Sequence, residues 1–417
     1  MNILYNMVIN FWILLNIATT TYCLYHISLA IAGFRKKKPF SGELKNHRFA
    51  AIIAARNEES VIGSLIESIR LQNYPKELID IIVVADNCDD KTAEIAQKCG
   101  AIVYKRFNKA EVGKGFVLKF VFSKIFEERD VYDAFCIIDA DNIVDRNFFL
   151  HMNQAICEGY RVAQGYRDMK NPADTWISGG HSLFYWMENR FFNHSRSILG
   201  LSATINGTGF MVATDLIKEI GFQTYTMTED IEFTIHCVLH GYKVGYVPEA
   251  RVYDEQPITF AQSMRQRIRW TNGLMQCFMR YTGVFAKRLW QKFDWPILDM
   301  LMYLFAVPTM VIGAVASVIY AILAAVRIFD PMGVFVNSLL LLVGSVAAFW
   351  LVGWLTVTLE KKDVKKMAWS VIAYPVFNLL WILIYAICIF KKKIDWKPIT
   401  HVRNISIHEM ESSKTIK

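Results

Sequence analysis

Apolar positions pool at the two ends of the chain and leave a middle of ordinary globular pattern. Residues 1–34 contain no Lys, Arg, Asp or Glu, and Arg35-Lys36-Lys37-Lys38 follows at once. The run is too long for a signal-peptide core and long enough to cross the roughly 30 Å hydrocarbon layer of a bilayer. The basic cluster behind it predicts an N-terminus outside and a cytoplasmic middle. Three further uncharged runs end the chain, Met300–Val326, Pro331–Leu359 and Met367–Phe390, each long enough to span. Pro308 and Pro375 are expected to kink them. One span before the middle and three after it would put the C-terminus outside. Yet Lys361-Lys362 with Lys365-Lys366, and Lys391-Lys392-Lys393, flank the same last run and both read as cytoplasmic. Either that run turns at Pro375 without crossing, or one cluster breaks the positive-inside tendency.

From about Lys45 to Ala250 the pattern alternates between strand and helix. Phe49–Ala55, Ile79–Ala85, Ala101–Tyr104 and Ala134–Ile138 are β-rich runs. Glu58–Leu71, Lys91–Cys99 and Val112–Glu128 between them carry helical periodicity, the second closing at Gly100. This order predicts an α/β domain with a mostly parallel sheet covered by helices on both faces. Ligands of such sheets bind at the carboxyl ends of the strands. A less regular part follows, with a helix over Thr175–Ser195, a turn at Asn206-Gly207-Thr208-Gly209, a helix from Thr228 to His240, and a strand pair over Tyr242–Tyr253. Ile258–Leu289 is amphipathic and basic, divided in two at Gly273, and expected along the membrane interface. The alternative is a core-facing helix with solvated arginines. The organisation expected is a membrane helix over 1–34, a catalytic domain over 45–256, interfacial helices over 257–295, three membrane segments over 296–392, and a tail over 393–417.

Composition sharpens this picture. The chain of 417 residues is 53% hydrophobic with a net charge of +8. That charge lies beside apolar segments, which favours a bilayer surface or a phosphate-bearing substrate over nucleic acid. The eight cysteines show no Cys-x-x-Cys pair and read as reduced and structural.

The candidate chemistry is acidic. Asp139 and Asp141 stand two residues apart at a strand end. A divalent ion on a diphosphate needs such hard oxygen ligands and keeps positions open for phosphate and water. Asp86, at another strand end, can accept from a base or ribose, whereas Asp89 and Asp90 read as the start of a helix. Asn57 and Glu58 follow the first strand and either line the nucleotide pocket or open a helix. Gly113-Lys114-Gly115 lacks the spacing of a phosphate-binding loop, but Lys114 can still reach a nucleotide. Asp230, with Glu229 beside it, is the candidate catalytic pair: a carboxylate within hydrogen-bond reach can take the proton of an attacking sugar hydroxyl. The same residues also read as the first turn of a helix capped by Thr228. Gln266 and Arg269 offer donors and positive charge to a departing diphosphate, and Trp270 offers a face to a sugar ring.

Taken in order, Asn57-Glu58, Asp86, Asp139-Ala140-Asp141, Thr228-Glu229-Asp230 and Gln266-x-x-Arg269-Trp270 resemble the family 2 glycosyltransferases, specifically the membrane-embedded processive synthases of cellulose, chitin and hyaluronan. The resemblance covers about Phe49 to Trp270. It implies a nucleotide-sugar-binding domain of the GT-A type inserted between transmembrane helices. It assigns Asp86 to uridine, Asp139 and Asp141 to ribose, diphosphate and Mg²⁺ or Mn²⁺, and Asp230 to the base. It also places Gly207, Thr208 and Gly209, with Asn206, near the acceptor's terminal sugar, and Gln266, Arg269 and Trp270 at the acceptor and diphosphate. Trp396–His401 loosely resembles a C-terminal segment of some synthases. The activity expected is elongation of a β-linked polysaccharide from a UDP-sugar at the cell membrane. The partners are the donor, the growing glycan and the bilayer; an export partner or a homo-oligomer stays open. The rivals are a lipid glycosyltransferase of the ceramide glucosyltransferase type and a non-catalytic polysaccharide-binding subunit.

Overall fold

The computed structural model describes residues 2–37, 40–326, 328–390 and 405–415. The long helix α1 (Asn2–Ala30) leads into the α/β domain. There follow β1 (Phe49–Ala55), α2 (Ile62–Arg70), β2 (Ile79–Asp86), α3 (Thr92–Lys98), β3 (Ile102–Arg106), α4 (Lys114–Glu128) and β4 (Ala134–Asp139). The second half holds β5 (Ile143–Val144), α5 (Phe148–Cys157), β6 (Val162–Met169), α6 (Trp176–Met187), a π-helical segment Glu188–His194, α7 (Ser195–Ile198), β7 (Phe210–Ala213), α8 (Thr214–Ile220), α9 (Glu229–Leu239) and β8 (Gly245–Asp254). Then come α10 (Phe260–Gln291), α11 (Trp295–Leu304), α12 (Ala306–Ala325), α13 (Pro331–Leu359), α14 (Val364–Phe390) and α15 (Ile407–Thr415).

The strands form one sheet of eight in the order β3-β2-β1-β4-β7-β6-β8-β5. The first four run parallel. β7 is antiparallel to both β4 and β6, and β5 is antiparallel to β8. The sheet is therefore mixed, parallel where the βα alternation is regular. Period-two alternation splits the side chains between two cores. Ile52, Ile82, Val84 and Phe135 pack on α4, while Phe49, Ile53, Val83 and Cys136 lie in the core shared with α2 and α5. Each fully buried aliphatic side chain of this kind is worth about 1.5–3 kcal/mol.

Two expectations from the sequence are corrected. Tyr242–Tyr253 yields one strand, β8, because β6 takes one of its edges and β5 the other. Gly273 does not divide the amphipathic stretch; α10 runs unbroken over it. A Cβ at Gly273 would stand 2.4 Å from Thr228 Cγ2, so the glycine serves a close approach of α10 to the start of α9. The kink expected near Pro308 is a break at Phe305, between α11 and α12, where Pro308 occupies the first turn of the new helix and cannot donate backward.

Among the described residues four helices are long and apolar enough to cross a membrane: Asn6–Phe34, α12, α13 and α14. α14 is continuous through Pro375, so the last run does not turn there. It starts at the α/β domain, where Lys362 Nζ bonds both oxygens of Asp168 (2.8 and 2.7 Å) and Arg190 Nε meets Glu360 Oε1 at 2.5 Å. The chain is again on the domain at α15: Ile407 packs with Ile143 and Tyr253, and Arg146 holds Glu411 through two bonds of 2.6 and 3.0 Å. Lys391-Lys392-Lys393 and Trp396–His401 lie outside the described residues.

Candidate active site

The register of the parallel strands brings the acids together. β1 lies between β2 and β4, so Asp86 and Asp139 end neighbouring positions on either side of it. Asp86 is 4% exposed and accepts from Arg106 Nη1 at 2.7 Å, a buried pair across β2 and β3. Lys114, at the first turn of α4, reaches across the cleft. Its ammonium bonds the Asp139 carboxylate and the Gly207 carbonyl oxygen (2.7 Å to the latter). Asp141 is nearly buried; Asn142 Nδ2 donates to its carboxylate at 3.2 Å, and Lys170 holds its carbonyl oxygen at 2.5 Å.

Asp230 and Glu229 open α9 beside Gly207, whose φ is +81° and whose added Cβ would meet Asp230 Oδ2 at 3.3 Å. Burial pushes both carboxyls above the usual range, and Asp230 adds to the rise at Glu229. The Ile231 N–H bond, Arg269 and Lys114 oppose it at Asp230. Thr228 makes no side-chain cap here; its face is taken by Gly273. Gln266, Arg269 and Trp270, from one turn of α10, complete the wall. Trp270 stacks on Phe184 at 6.1 Å between centroids. Arg269 makes no hydrogen bond or ion pair among the described residues.

These groups line one cavity of about 1380 Å³, which continues past Asp230 to α1, α11, α12 and α14. Asn57, Thr208 and Gly209 are placed behind it rather than in it. Asn57 takes φ +57° and accepts from the Asp89 N–H (2.9 Å), tying two loops. Thr208 Oγ1 accepts from the Asp139 N–H (2.9 Å) and donates to Asn142 Oδ1 (2.6 Å). Gly209, at φ +65°, leaves room for Val252, which a Cβ would meet at 2.6 Å. Asp90 accepts from Thr92 at the start of α3, as its position suggested.

Sequence reasoning missed a second carboxylate–guanidinium pair. Arg167 bonds Asp254 and the Asn206 carbonyl oxygen (2.8 Å to the latter), and Asp254 also holds Gln256 and Asn142. Asp254 ends β8 as Asp86 ends β2, so the strand-end rule applied to Tyr242–Tyr253 would have found it.

Among the described residues no group of three or more His, Cys, Asp or Glu side chains could hold a metal ion by itself. Two hard carboxylates beside an open cleft fit a cation shared with a diphosphate, the way Mg²⁺ is commonly held. Acidic strand ends, a basic wall and a carboxylate on the lining of a large cavity define the class: an enzyme that transfers from a phosphate-activated donor. The comparisons carry it further. The family described as glycosyltransferase like family 2 matches residues 47–273, and the chain belongs to it. The probable glycosyltransferase YdaM of Bacillus subtilis (strain 168) is 24% identical over 410 residues, covering 89% of this chain and 93% of that protein. A beta-monoglucosyldiacylglycerol synthase of Synechocystis sp. is 26% identical over 237 residues, covering 55% of this chain and 48% of that protein. A poly-beta-1,6-N-acetyl-D-glucosamine synthase of Staphylococcus epidermidis is 24% identical over 259 residues, covering 59% of this chain and 61% of that protein. Among solved structures, mannosyltransferase PcManGT from Pyrobaculum calidifontis, in complex with GDP-Man and Mn²⁺, shares the fold (TM-score 0.59, 16% identity, 90% of this chain and 99% of that one).

Proposed function

We propose that this glycosyltransferase is inverting, takes its hexosyl group from a UDP-sugar, and extends a β-linked glucan or N-acetylglucosamine polymer. In this reading residues 45–256 form the catalytic domain on the cytoplasmic face, α10 lies along the interface, and the product leaves between the membrane helices. One observation carries it: Asp86 and Asp139, then Asp230, then Trp381 and Tyr385 of α14 line a single continuous cavity. Aromatic faces along an exit path suit sugar rings.

Asp86 takes the uridine. Asp139 and Asp141 would hold Mg²⁺ or Mn²⁺, which would neutralise charge on the diphosphate. Lys114 spans Asp139 and the Gly207 carbonyl oxygen, fixing the donor side relative to the loop beside the base. Asp230 accepts the proton of the attacking hydroxyl. Attack opposite the diphosphate inverts the anomeric carbon. Arg269, with no other partner among the described residues, and Gln266 meet the leaving group.

The test is UDP release by the purified protein in detergent with Mg²⁺ or Mn²⁺. UDP-glucose, UDP-N-acetylglucosamine and UDP-glucuronate are screened, with GDP-mannose for comparison, and product is sized in the same tubes. Release with a long, enzyme-digestible polymer supports the reading; loss of release on chelation supports the cation. A product that requires diacylglycerol or ceramide and stops at one sugar replaces it with lipid glycosylation. The apolar residues Ile27, Val307 and Met310 at the far end of the cavity would suit such an acceptor.

A further inference from the structure

One wall of the cavity carries polar groups that the chain itself leaves without partners. Past Asp230, toward α1 and α12, the lining includes Tyr185 of α6, Glu188 at the start of the π-helical segment, and Tyr303 of α11. None of the three polar ends makes a hydrogen bond or an ion pair among the described residues.

The nearby cations are already committed. Arg167 gives its donors to Asp254 and the Asn206 carbonyl oxygen. Arg196 gives Nε and Nη2 to Asp299 at 2.8 and 3.0 Å, in a pair almost wholly removed from solvent. Glu188 is thus left with no counter-ion of its own. Burial pushes its carboxyl up to about 7, and the Asp230 charge adds to the rise against Arg167 and Arg196. Both tyrosines feel the Glu188 and Asp230 charges, so the three groups and the candidate base form one electrostatic cluster.

Glu188 is half-buried on the cavity wall, where a carboxylate without a partner of its own costs free energy that a ligand's donors would offset. The backbone is unusual at the same point: the helix widens to π geometry over Glu188–His194. Such segments are rare and concentrate at functional sites.

We propose that Glu188, flanked by Tyr185 and Tyr303, reads the acceptor: its two carboxylate oxygens accept from adjacent hydroxyls of the acceptor's terminal sugar and present a third hydroxyl to Asp230. An ionised carboxylate is acceptor-only with two oxygens, so a vicinal diol satisfies it and the tyrosine hydroxyls supply donors. Trp270 stands on the same cavity to carry the ring. A bare diacylglycerol has a single hydroxyl and leaves the second oxygen unmet. The inference rests on the glycan-acceptor reading above and narrows it: the site takes an acceptor that already bears a sugar.

The experiment uses the full chain in detergent, the donor found by UDP release, and cellotetraose or chitotetraose as acceptor. Wild type first decides the glycan reading. If it transfers to diacylglycerol micelles and to neither tetrasaccharide, both the reading and the inference fall. If it elongates a tetrasaccharide, Glu188→Gln decides the inference. The expected result is an acceptor KM raised about tenfold or more, the worth of a hydrogen bond to a charged group. Donor KM and acceptor-free UDP release stay within about twofold. Glu188→Asp recovers part of the loss, and Tyr303→Phe shows a smaller loss of the same kind. An unchanged acceptor KM in Glu188→Gln overturns the inference alone. So does a joint fall of kcat, donor affinity and melting temperature, the mark of a structural role.

Discussion

Gly273→Ala tests whether the approach of α10 to α9 sets the catalytic geometry. The added Cβ would lie 2.4 Å from Thr228 Cγ2, 2.5 Å from its Oγ1 and 2.9 Å from its Cβ. Ordinary carbon–carbon contact is about 3.5–4.0 Å, so the helices must part by roughly 1 Å. Neither side yields cheaply, because Thr228 is buried and the opposing atoms belong to α10's own backbone position. The parting separates Asp230 from Gln266, Arg269 and Trp270, which lie within two turns of Gly273. A misplacement of about 1 Å can cost a hundredfold in rate, near 2.7 kcal/mol of transition-state stabilisation. The overpacking itself should cost about 1–3 kcal/mol of stability. The assay is steady-state UDP release, with UDP affinity measured alongside. UDP affinity should fall much less than kcat, since Asp86 and Asp139 sit on strands this change does not touch and only the contacts of Arg269 and Gln266 move. Thr228→Ala removes the two nearest atoms and forfeits no side-chain cap. The double variant should therefore recover about tenfold over Gly273→Ala, a coupling that only contacting residues show. A fully active Gly273→Ala, or a double variant whose losses simply add, would refute the reasoning.

Asp230→Asn should lower kcat by about 10²–10⁴ with UDP affinity unchanged. In wild type, burial raises the Asp230 carboxyl, and the base must be ionised. Activity should therefore fall with decreasing pH through a midpoint above the ordinary value of about 3.9; a flat profile to pH 4 contradicts the assignment. Glu229, raised by burial, binds its proton more tightly when folded. Folding therefore loses stability as pH rises through the raised value, and Glu229→Gln should melt higher than wild type at pH 8 but not at pH 5. Asp299→Asn strips Arg196 of its buried partner and breaks the bond from Tyr25 Oη (2.9 Å). A loss of about 3–5 kcal/mol follows, some 6–20 °C in Tm by tryptophan fluorescence, and a shift under 2 °C would count against it.

The sequence by itself determined what depends on local pattern. Alternation and run length placed β1, β2, β3 and β4 and the helices between them to within a few residues, because each strand carries its own hydrophobic signature. Motif order supplied the family, since the chemistry of the acids and of Gln266, Arg269 and Trp270 is written in residue type and sequence. What tertiary structure alone decided is which of those residues meet, and at what distance. Gly273 looks like a helix breaker until Thr228 stands against it from a segment some forty-five residues away. Asn57, Thr208 and Gly209 look like ligand-facing positions until Asp89, Asn142 and Val252 claim them from other elements. The strand pair expected over Tyr242–Tyr253 became one strand because β5 and β6, distant in sequence, occupy both its edges. Glu188 carries no motif at all. Its isolation follows from where the fold sends Arg167 and Arg196, and long-range pairing of charges has no period or spacing along a chain.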